Sequence, residues 1–287
     1  MRSEPISVVL VAWDNYVRFL PECLDTIAAQ TDCAIESIIV VDNASSVALP
    51  ALDAGFEIVP TEERISLGAA RNLGLSRVTT PLVCFFDVDD CLMPGTFGFL
   101  ARRMSERRDL ASCACSLLRW YPSLDLTFPH WWPDRVAFSL VGNTSLFAIR
   151  NMFIHQFPMA CAALHRTALC LDAGGFSDLE YGEDWALANG LLCRGPVELH
   201  RRPGRLYRAH VRTLGFPIDA APVTAACRAI RARASNDPRS PQALRRFLPA
   251  ARLYHDHLLV NKILRDNRRE AADIRARLSD SHEEARF

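Results

Sequence analysis

Lysine is almost missing from this chain of 287 residues; Lys262 is the single example. That absence removes several chemistries. A P-loop needs a lysine after its glycines, a receiver domain pairs its aspartates with one, and Schiff-base catalysis uses one directly; none has a candidate in residues 1–212. Also absent is any Cys-x-x-Cys pair, although the chain has 10 cysteines. Cys23, Cys33, Cys84, Cys91, Cys113, Cys115, Cys161, Cys170, Cys193 and Cys227 are scattered, many inside apolar runs. Zinc-knuckle and thioredoxin-type sites are therefore excluded, and the thiols read as small core hydrophobes in a reducing compartment. No apolar stretch approaches the roughly 20 residues that cross a bilayer. The chain enters its first strand pattern at Ile6 with no basic leader before it, so the expectation is a cytoplasmic protein, with peripheral contact to a membrane surface left open.

Neither sign of charge dominates. Lys plus Arg and Asp plus Glu number 33 each, which offers no general lure for nucleic acid. The balance conceals an asymmetry: from Thr213 onward 14 basic residues stand against 9 acidic ones, and the excess is reversed before it. Arg228, Arg231, Arg233, Arg245, Arg246, Arg268 and Arg269 recur through this tail as a solvated helix face would, or as a face toward an anionic surface.

What is present is an alternation of strand and helix patterns. Ile6–Val11, Ile38–Val41 and Phe56–Val59 read as buried strands; Phe19–Ala28, Ser66–Ser76 and Thr96–Arg107 carry helical spacing. Such alternation argues for a mostly parallel, Rossmann-like α/β sheet with helices on both faces, whose ligands collect at the carboxyl ends of the strands. Ala12-Trp13-Asp14, Asp42-Asn43 and Asp87-Val88-Asp89 all follow strands directly. Further strands are expected at Cys113–Arg119, Ala160–His165 and Leu206–Ala209, and a helix opens at Glu183-Asp184. The tail reads as helical, broken between Asp237-Pro238 and Pro241.

The apolar run Leu82–Phe86 is the most informative. It ends in Asp87, Asp89 and Asp90, three carboxylates at the tip of a buried strand, where mutual repulsion and desolvation call for positive charge. Mg²⁺ or Mn²⁺ carrying a diphosphate would supply it. The competing reading makes Asp89 and Asp90 turn formers and caps for the helix that follows. The aromatics Trp120 to Trp132 suit sugar stacking and core packing alike.

In order and spacing these segments resemble a family 2 glycosyltransferase of the GT-A fold, from Ile6 to His210. The resemblance rests on Leu24-Asp25-Thr26-Ile27-Ala28-Ala29-Gln30-Thr31, Val40-Val41-Asp42-Asn43-Ala44-Ser45, Leu67-Gly68-Ala69-Ala70-Arg71-Asn72-Leu73-Gly74, Asp87-Val88-Asp89, and Gly174-Gly175-Phe176 followed by Glu183-Asp184. It implies a GT-A domain over 1–212, with a nucleotide-sugar half at 1–110 and an acceptor half at 111–212, plus a basic helical extension at 213–287. It implies inverting transfer from a nucleotide-diphosphate sugar, UDP-sugar favoured, to an acceptor hydroxyl of unknown identity. Asp184 would be the general base and Glu183 would orient it or the acceptor. Ala12, Asp14, Asp42, Asn43, Arg71 and Asp87 would hold the donor nucleotide, Asp87 touching the ribose or the metal shell. Asp89 would ligate Mn²⁺ or Mg²⁺, with His210 completing the shell or standing as a surface histidine. Trp131 and Trp132 are the acceptor-side candidates. For Arg71 the competing reading is a helix-surface ion pair with Glu62 or Glu63.

The chain also departs from the family pattern. Ala12-Trp13-Asp14-Asn15 replaces the commoner Pro-Thr-Tyr-Asn, and the Gln-x-x-Arg-Trp segment of processive synthases is absent. Two other classes compete: a nucleotidyltransferase, which would need a Gly-rich basic loop near the N-terminus, and a non-catalytic glycan- or partner-binding relative, which would have lost the acidic pairs. The tail's Leu248, Leu253, Leu258, Leu259 and Ile263 could dock on the domain or on a second subunit as a homodimer.

Overall fold

Strand β1 (Ile6–Ala12) is buried over its whole length, as a continuous β-branched run requires when both faces of a sheet are covered. A computed structural model describes the chain at residues 4–51, 55–122, 126–129, 144–153, 162–179, 181–209 and 220–259, and at 261, 265 and 272. His210, Trp131 and Trp132 lie outside the described residues. Around β1 run β2 (Ile35–Asp42), β3 (Phe56–Pro60) and β4 (Leu82–Asp87), all parallel, in the order β3-β2-β1-β4. Each parallel return needs a crossover. A 3₁₀ turn (Asp14–Phe19) and helix α1 (Leu20–Ala28) supply the first, and α2 (Leu67–Leu75) supplies the one between β3 and β4. Pro21 sits in the first turn of α1, where its missing N–H costs nothing. Ser66 caps α2 by accepting the Ala69 N–H at 3.1 Å.

Beyond β4 follow β5 (Cys91–Leu92), α3 (Thr96–Glu106), β6 (Ser112–Tyr121), β7 (Leu126–Pro129), α4 (Thr144–Phe153), β8 (Ala163–Arg166), α5 (Thr167–Asp172), α6 (Glu183–Leu192) and β9 (Val197–Arg208). The sheet continues β4-β8-β6-β9-β5, with β7 on β6. The long ladders are parallel, including β6 with β9; the antiparallel ones, at β8, β5 and β7, are short. This is a mostly parallel mixed α/β sheet of the GT-A type.

Alternation along the strands divides the core in two. Val8 and Leu10 point with Ile38, Val40 and Phe86 toward α1 and α3, while Val9 and Val11 point with Ile39, Val41 and Phe85 toward α2 and α6. The C-terminal helices α7 (Ala220–Asn236) and α8 (Gln242–Tyr254), followed by a π-helical turn at His255–Leu259, join the second layer through Val223, Ala226, Ile230, Leu244 and Ala251. The nine described cysteines are all free. Among the described residues no helix is long and apolar enough to cross a membrane.

Two expectations need correction. The late strand is not confined to Leu206–Ala209; it begins at Val197, because β9 pairs along β6 on both sides of a register break opposite Cys115–Leu117. The charged Arg201-Arg202-Pro203 segment falls at that irregularity, where a proline inside a sheet is tolerated. Asp90 does not cap α3. The residue preceding α3 is Gly95 in the left-handed region (φ 68°), and the Asp90 side chain is turned inward.

Helix α2 approaches the Phe176–Leu179 segment so closely that a Cβ on Gly68 would lie 1.8 Å from the Ser177 carbonyl oxygen. Gly68→Ala should therefore push α2 off this segment and destabilise the fold by about 1–3 kcal/mol. Urea unfolding checks this; an unchanged midpoint would show that the contact is loose.

Candidate active site

Strands β1, β2 and β4 deliver polar residues to the same edge of the sheet. Asp42 ends β2 and accepts the Ser45 N–H at 3.0 Å, closing the loop after it. Asp14 follows β1 at φ 42°, a left-handed conformation held by neighbours from the β2 loop. Its N–H donates to Ser45 Oγ at 2.8 Å, and its Oδ1 accepts from the Ser46 N–H at 3.0 Å and Ser46 Oγ at 2.8 Å. Those hydrogen bonds hold the Asp14 carboxyl below its usual range. The Arg64 guanidinium lies over the Trp13 ring at 4.9 Å, and Trp13 and Tyr16 rings are 4.6 Å apart. Ala12 is fully buried, and its carbonyl accepts the Asn43 N–H at 2.9 Å. The buried Asn43 amide is tied to Ile65, donating to its carbonyl at 2.9 Å and accepting its N–H at 3.0 Å. Ala12, Asp14, Asp42 and Asn43 thus meet in one pair of loops, with Asn43 holding the lead into α2.

The tip of β4 is organised by arginines. Arg71, 5 % exposed, projects from α2 and donates Nη2 to Asp87 Oδ1 at 2.6 Å; its Nη1 bonds Glu183 Oε1. One buried fork thereby joins the end of β4 to the first turn of α6. Glu62 and Glu63 are not its partners. The other Asp87 oxygen, Oδ2, accepts from Arg205 Nη2 at 2.6 Å, and Arg205 also pairs with Asp90. Arg208 completes the clamp. Its N–H donates to Asp90 Oδ1 at 2.7 Å, its Nε to the Asp89 carbonyl at 2.7 Å, and its Nη2 to Glu22. The Arg208 guanidinium stacks 4.2 Å from the Trp120 ring.

Charge follows this geometry. Burial would raise the Asp87 carboxyl, but Arg205 and Arg71 outweigh it and hold the group below its ordinary value. Asp90 goes the other way: burial, reinforced by Asp89 and Asp87, pushes it well above the carboxylate range against the pull of Arg205. Glu183 is raised to about 7 by burial and by the neighbouring Asp184 charge, with Arg71 opposing. Tyr16 and Tyr207 flank the acidic tip. Burial first and then Asp89 and Asp87 raise the Tyr16 phenol; burial takes Tyr207 to about 12, with the same carboxylates and Asp90 adding to it.

Asp184 occupies the first helical turn beside Glu183, favourably placed for a negative charge at a helix N-terminus. Gly182 opens that turn at φ 69°, where a side chain would be strained and a Cβ would lie 2.8 Å from Ala226. Trp185, fully buried, locks the other side of the turn by donating Nε1 to the Asn151 carbonyl at 2.5 Å. Asn72 fastens Phe176 to α2 through a reciprocal pair at 2.7 and 3.0 Å. Both acidic clusters therefore share one helix, α2, as their common support.

Arg205, Arg208 and the burial of Asp90 escaped the sequence reading. A signal existed in β9, where charged residues interrupt an otherwise buried strand and so require partners. A separate group, Cys113, Glu198 and His200, brings potential ligand atoms within 4.8 Å of one another. Its Glu198 carboxylate is already engaged by Arg103 at 3.0 Å, Arg107 at 3.2 Å and His200 at 3.1 Å, and burial pushes the Cys113 thiol up. A cation there would have to displace two guanidiniums.

The fold and this strand-edge site define a mostly parallel α/β domain with two acidic clusters joined through Arg71. The family model described as "Glycosyl transferase family 2" matches residues 7–169, and the chain belongs to that family. It is 36% identical over 174 residues to the amylovoran biosynthesis glycosyltransferase AmsE of Erwinia amylovora, an alignment covering 58% of this chain and 62% of AmsE. The chain thus spans less than two thirds of that relative. Among solved structures, S. aureus TarS 1–349 in complex with UDP-GlcNAc superposes with a TM-score of 0.63 at 16% identity, covering 93% of this chain and 79% of the other. The same protein with UDP gives 0.60 at 16% identity, over 85% and 70%. At that identity the likeness is one of fold.

The two-arginine clamp makes a direct prediction. Removing Arg205 leaves the buried Asp90 without its guanidinium and Asp87 with Arg71 alone, so Arg205→Met should cost about 3–5 kcal/mol. Asp90→Asn in that background should recover part of the loss in a denaturant titration. Additive losses from the two changes would mean that Arg205 and Asp90 do not act together.

Proposed function

We propose that this chain transfers a sugar, with inversion, from a nucleotide-diphosphate sugar to an acceptor hydroxyl. The observation that carries the reading is the Arg71 fork, which holds the donor-side Asp87 and the acceptor-side Glu183 on one guanidinium. Reactions that join two substrates need both held in a common frame.

On the donor side, the base and ribose lie against the paired loops after β1 and β2. There Asp42 and Asp14 accept hydrogen bonds, and the half-buried Trp13 offers a ring face. Both Asp87 oxygens are engaged by arginines, so Asp87 serves as the anchor of Arg71 and Arg205. Asp89, partly exposed in the turn beyond, is the carboxylate that would hold Mn²⁺ or Mg²⁺ together with the diphosphate. One or two carboxylates plus phosphate oxygens form a fitting set for such a hard cation. When bound, the ion would stabilise charge on the departing diphosphate. A UDP-sugar is the favoured donor, in keeping with the ligands of the TarS structures.

On the acceptor side, Asp184 removes the proton of the attacking hydroxyl. Glu183, bonded to Arg71, fixes the turn that carries it. The acceptor in this reading is a hydroxyl of a glycan under construction; AmsE is named for amylovoran biosynthesis.

Two variants separate the roles. Asp184→Asn should lower UDP-sugar turnover by about 10²–10⁴-fold while keeping the thermal shift produced by UDP with Mn²⁺. Asp89→Ala should lose the Mn²⁺-dependent part of that shift. Equal loss of turnover and nucleotide binding in Asp184→Asn would make the residue structural, and chelator-insensitive wild-type turnover would remove the metal from the scheme.

A further inference from the structure

Helix α7 lies against the segment that leads into the acceptor-side turn. Its buried side chains Val223, Ala226, Ile230 and Ala234 recur at helical spacing and form one stripe. Arg233 stands at the edge of that stripe, two turns beyond Ala226, roughly 10 Å away along the axis. Ala226 meets the chain just before α6, where a Cβ on Gly182 would lie 2.8 Å from the Ala226 Cβ. Arg233 meets it just after α5: its Nη1 donates to the Gly175 carbonyl at 2.5 Å and its Nη2 to the Gly174 carbonyl at 3.4 Å. One helix face therefore touches both ends of the segment between α5 and the Glu183-Asp184 turn.

Arg233 is half-buried and makes no ion pair among the described residues. Burial, and then the Arg194 charge, hold its guanidinium below the usual arginine pKa, with Asp237 opposing. A desolvated charge without a carboxylate is costly, so its two carbonyl partners carry the compensation. Those carbonyls belong to consecutive glycines in the left-handed region, at φ 78° and 64°. The N–H groups of the same glycines donate to the Leu171 carbonyl at 2.9 Å and the Cys170 carbonyl at 3.0 Å. The turn is thus tied to α5 through its donors and to α7 through its acceptors. Just beyond its last turn α7 is itself anchored, where Arg194 donates to Asp237 at 2.5 Å and to Asp172 at 2.7 Å.

The gripped segment continues directly into the acidic site. Phe176 follows Gly175, and its ring centroid lies 5.4 Å from the Arg71 guanidinium, so a shift of the glycine turn reaches the fork. The Ser177 N–H donates to the Glu183 carbonyl at 3.4 Å, which couples the segment to the first turn of α6. We propose, resting on the transferase reading, that Arg233 and Ala226 are positioning residues and that α7 is a splint. It fixes where the Asp184 carboxylate stands relative to the Arg71 fork. The donor loops are held by their own hydrogen bonds, among Asp14, Asn43, Ser45, Ser46 and Ile65, so the splint acts on turnover and not on nucleotide binding.

Steady-state release of UDP from UDP-glucose and UDP-N-acetylglucosamine, with amide hydrogen exchange read by mass spectrometry, tests this on the full chain. Arg233→Met should lower kcat about 10–100-fold while donor KM and the thermal shift with UDP and Mn²⁺ stay at the wild-type values. In the same variant, exchange over residues 174–179 should quicken about tenfold and exchange over β1 should not change. Arg233→Lys, which keeps the charge and a donor for the Gly175 carbonyl, should recover most of both. Ala226→Val, which presses on Gly182 without touching Arg233, should reproduce the kcat loss, and it decides the matter if Arg233→Met does not fold. Wild-type kcat and exchange in Arg233→Met would overturn the proposal. So would an equal loss in Arg233→Lys, or turnover and UDP binding lost together, since either would leave Arg233 a packing element. A wild type that releases no UDP from either sugar would count against the donor assignment instead, and exchange over 174–179 then decides the splint alone.

Discussion

One buried guanidinium holds this molecule's two acidic clusters together. Arg71 reaches Asp87 at the end of β4 with one nitrogen and Glu183 at the start of α6 with another. A planar fork suits that task, since its two arms have fixed directions that a lysine ammonium lacks. Burial makes the arrangement exacting: an unpaired charge at this depth is costly, so the partners must stay paired in the folded state. Arg205 extends the same logic to the far oxygen of Asp87 and to Asp90.

The sheet explains why such pairs form. Parallel strands β1, β2 and β4 end at one edge, while β9 returns beside β6 and brings Arg205 and Arg208 to the turn beyond β4. Helix α2 then supplies Arg71 to the clamp and Asn72 to the segment before α6. The C-terminal helices are part of this construction. Ala226 packs under Gly182, and Arg233 Nη1 donates to the Gly175 carbonyl at 2.5 Å, so the extension supports the turn that carries Asp184.

Much of the frame was legible in the sequence for local reasons. Buried strands declare themselves through β-branched runs, as at Ile38–Val41, and α2 through the helical spacing of its small residues over Ser66–Ser76. The acidic tip was legible because carboxylates after an apolar strand demand explanation. The partners of Arg71 were not, because they lie 16 and 112 positions away and spacing says nothing about such distances. Arg205 was hidden for another reason: Arg201-Arg202-Pro203 breaks the apolar pattern of β9, so the strand that buries Arg205 seemed to start after it. Asp90 fits the composition of a turn, and only the arrival of β9 brings the Arg205 guanidinium and the Arg208 N–H against its buried side chain.

A crystal structure of the chain with UDP and Mn²⁺ tests the central claim most directly. The account predicts the ion on Asp89 and the diphosphate, Asp184 across the same cleft, and Arg71 still bridging Asp87 and Glu183. An ion bound with the diphosphate at Cys113, Glu198 and His200, or an Arg71 fork parted to let Asp87 take the metal, would contradict it.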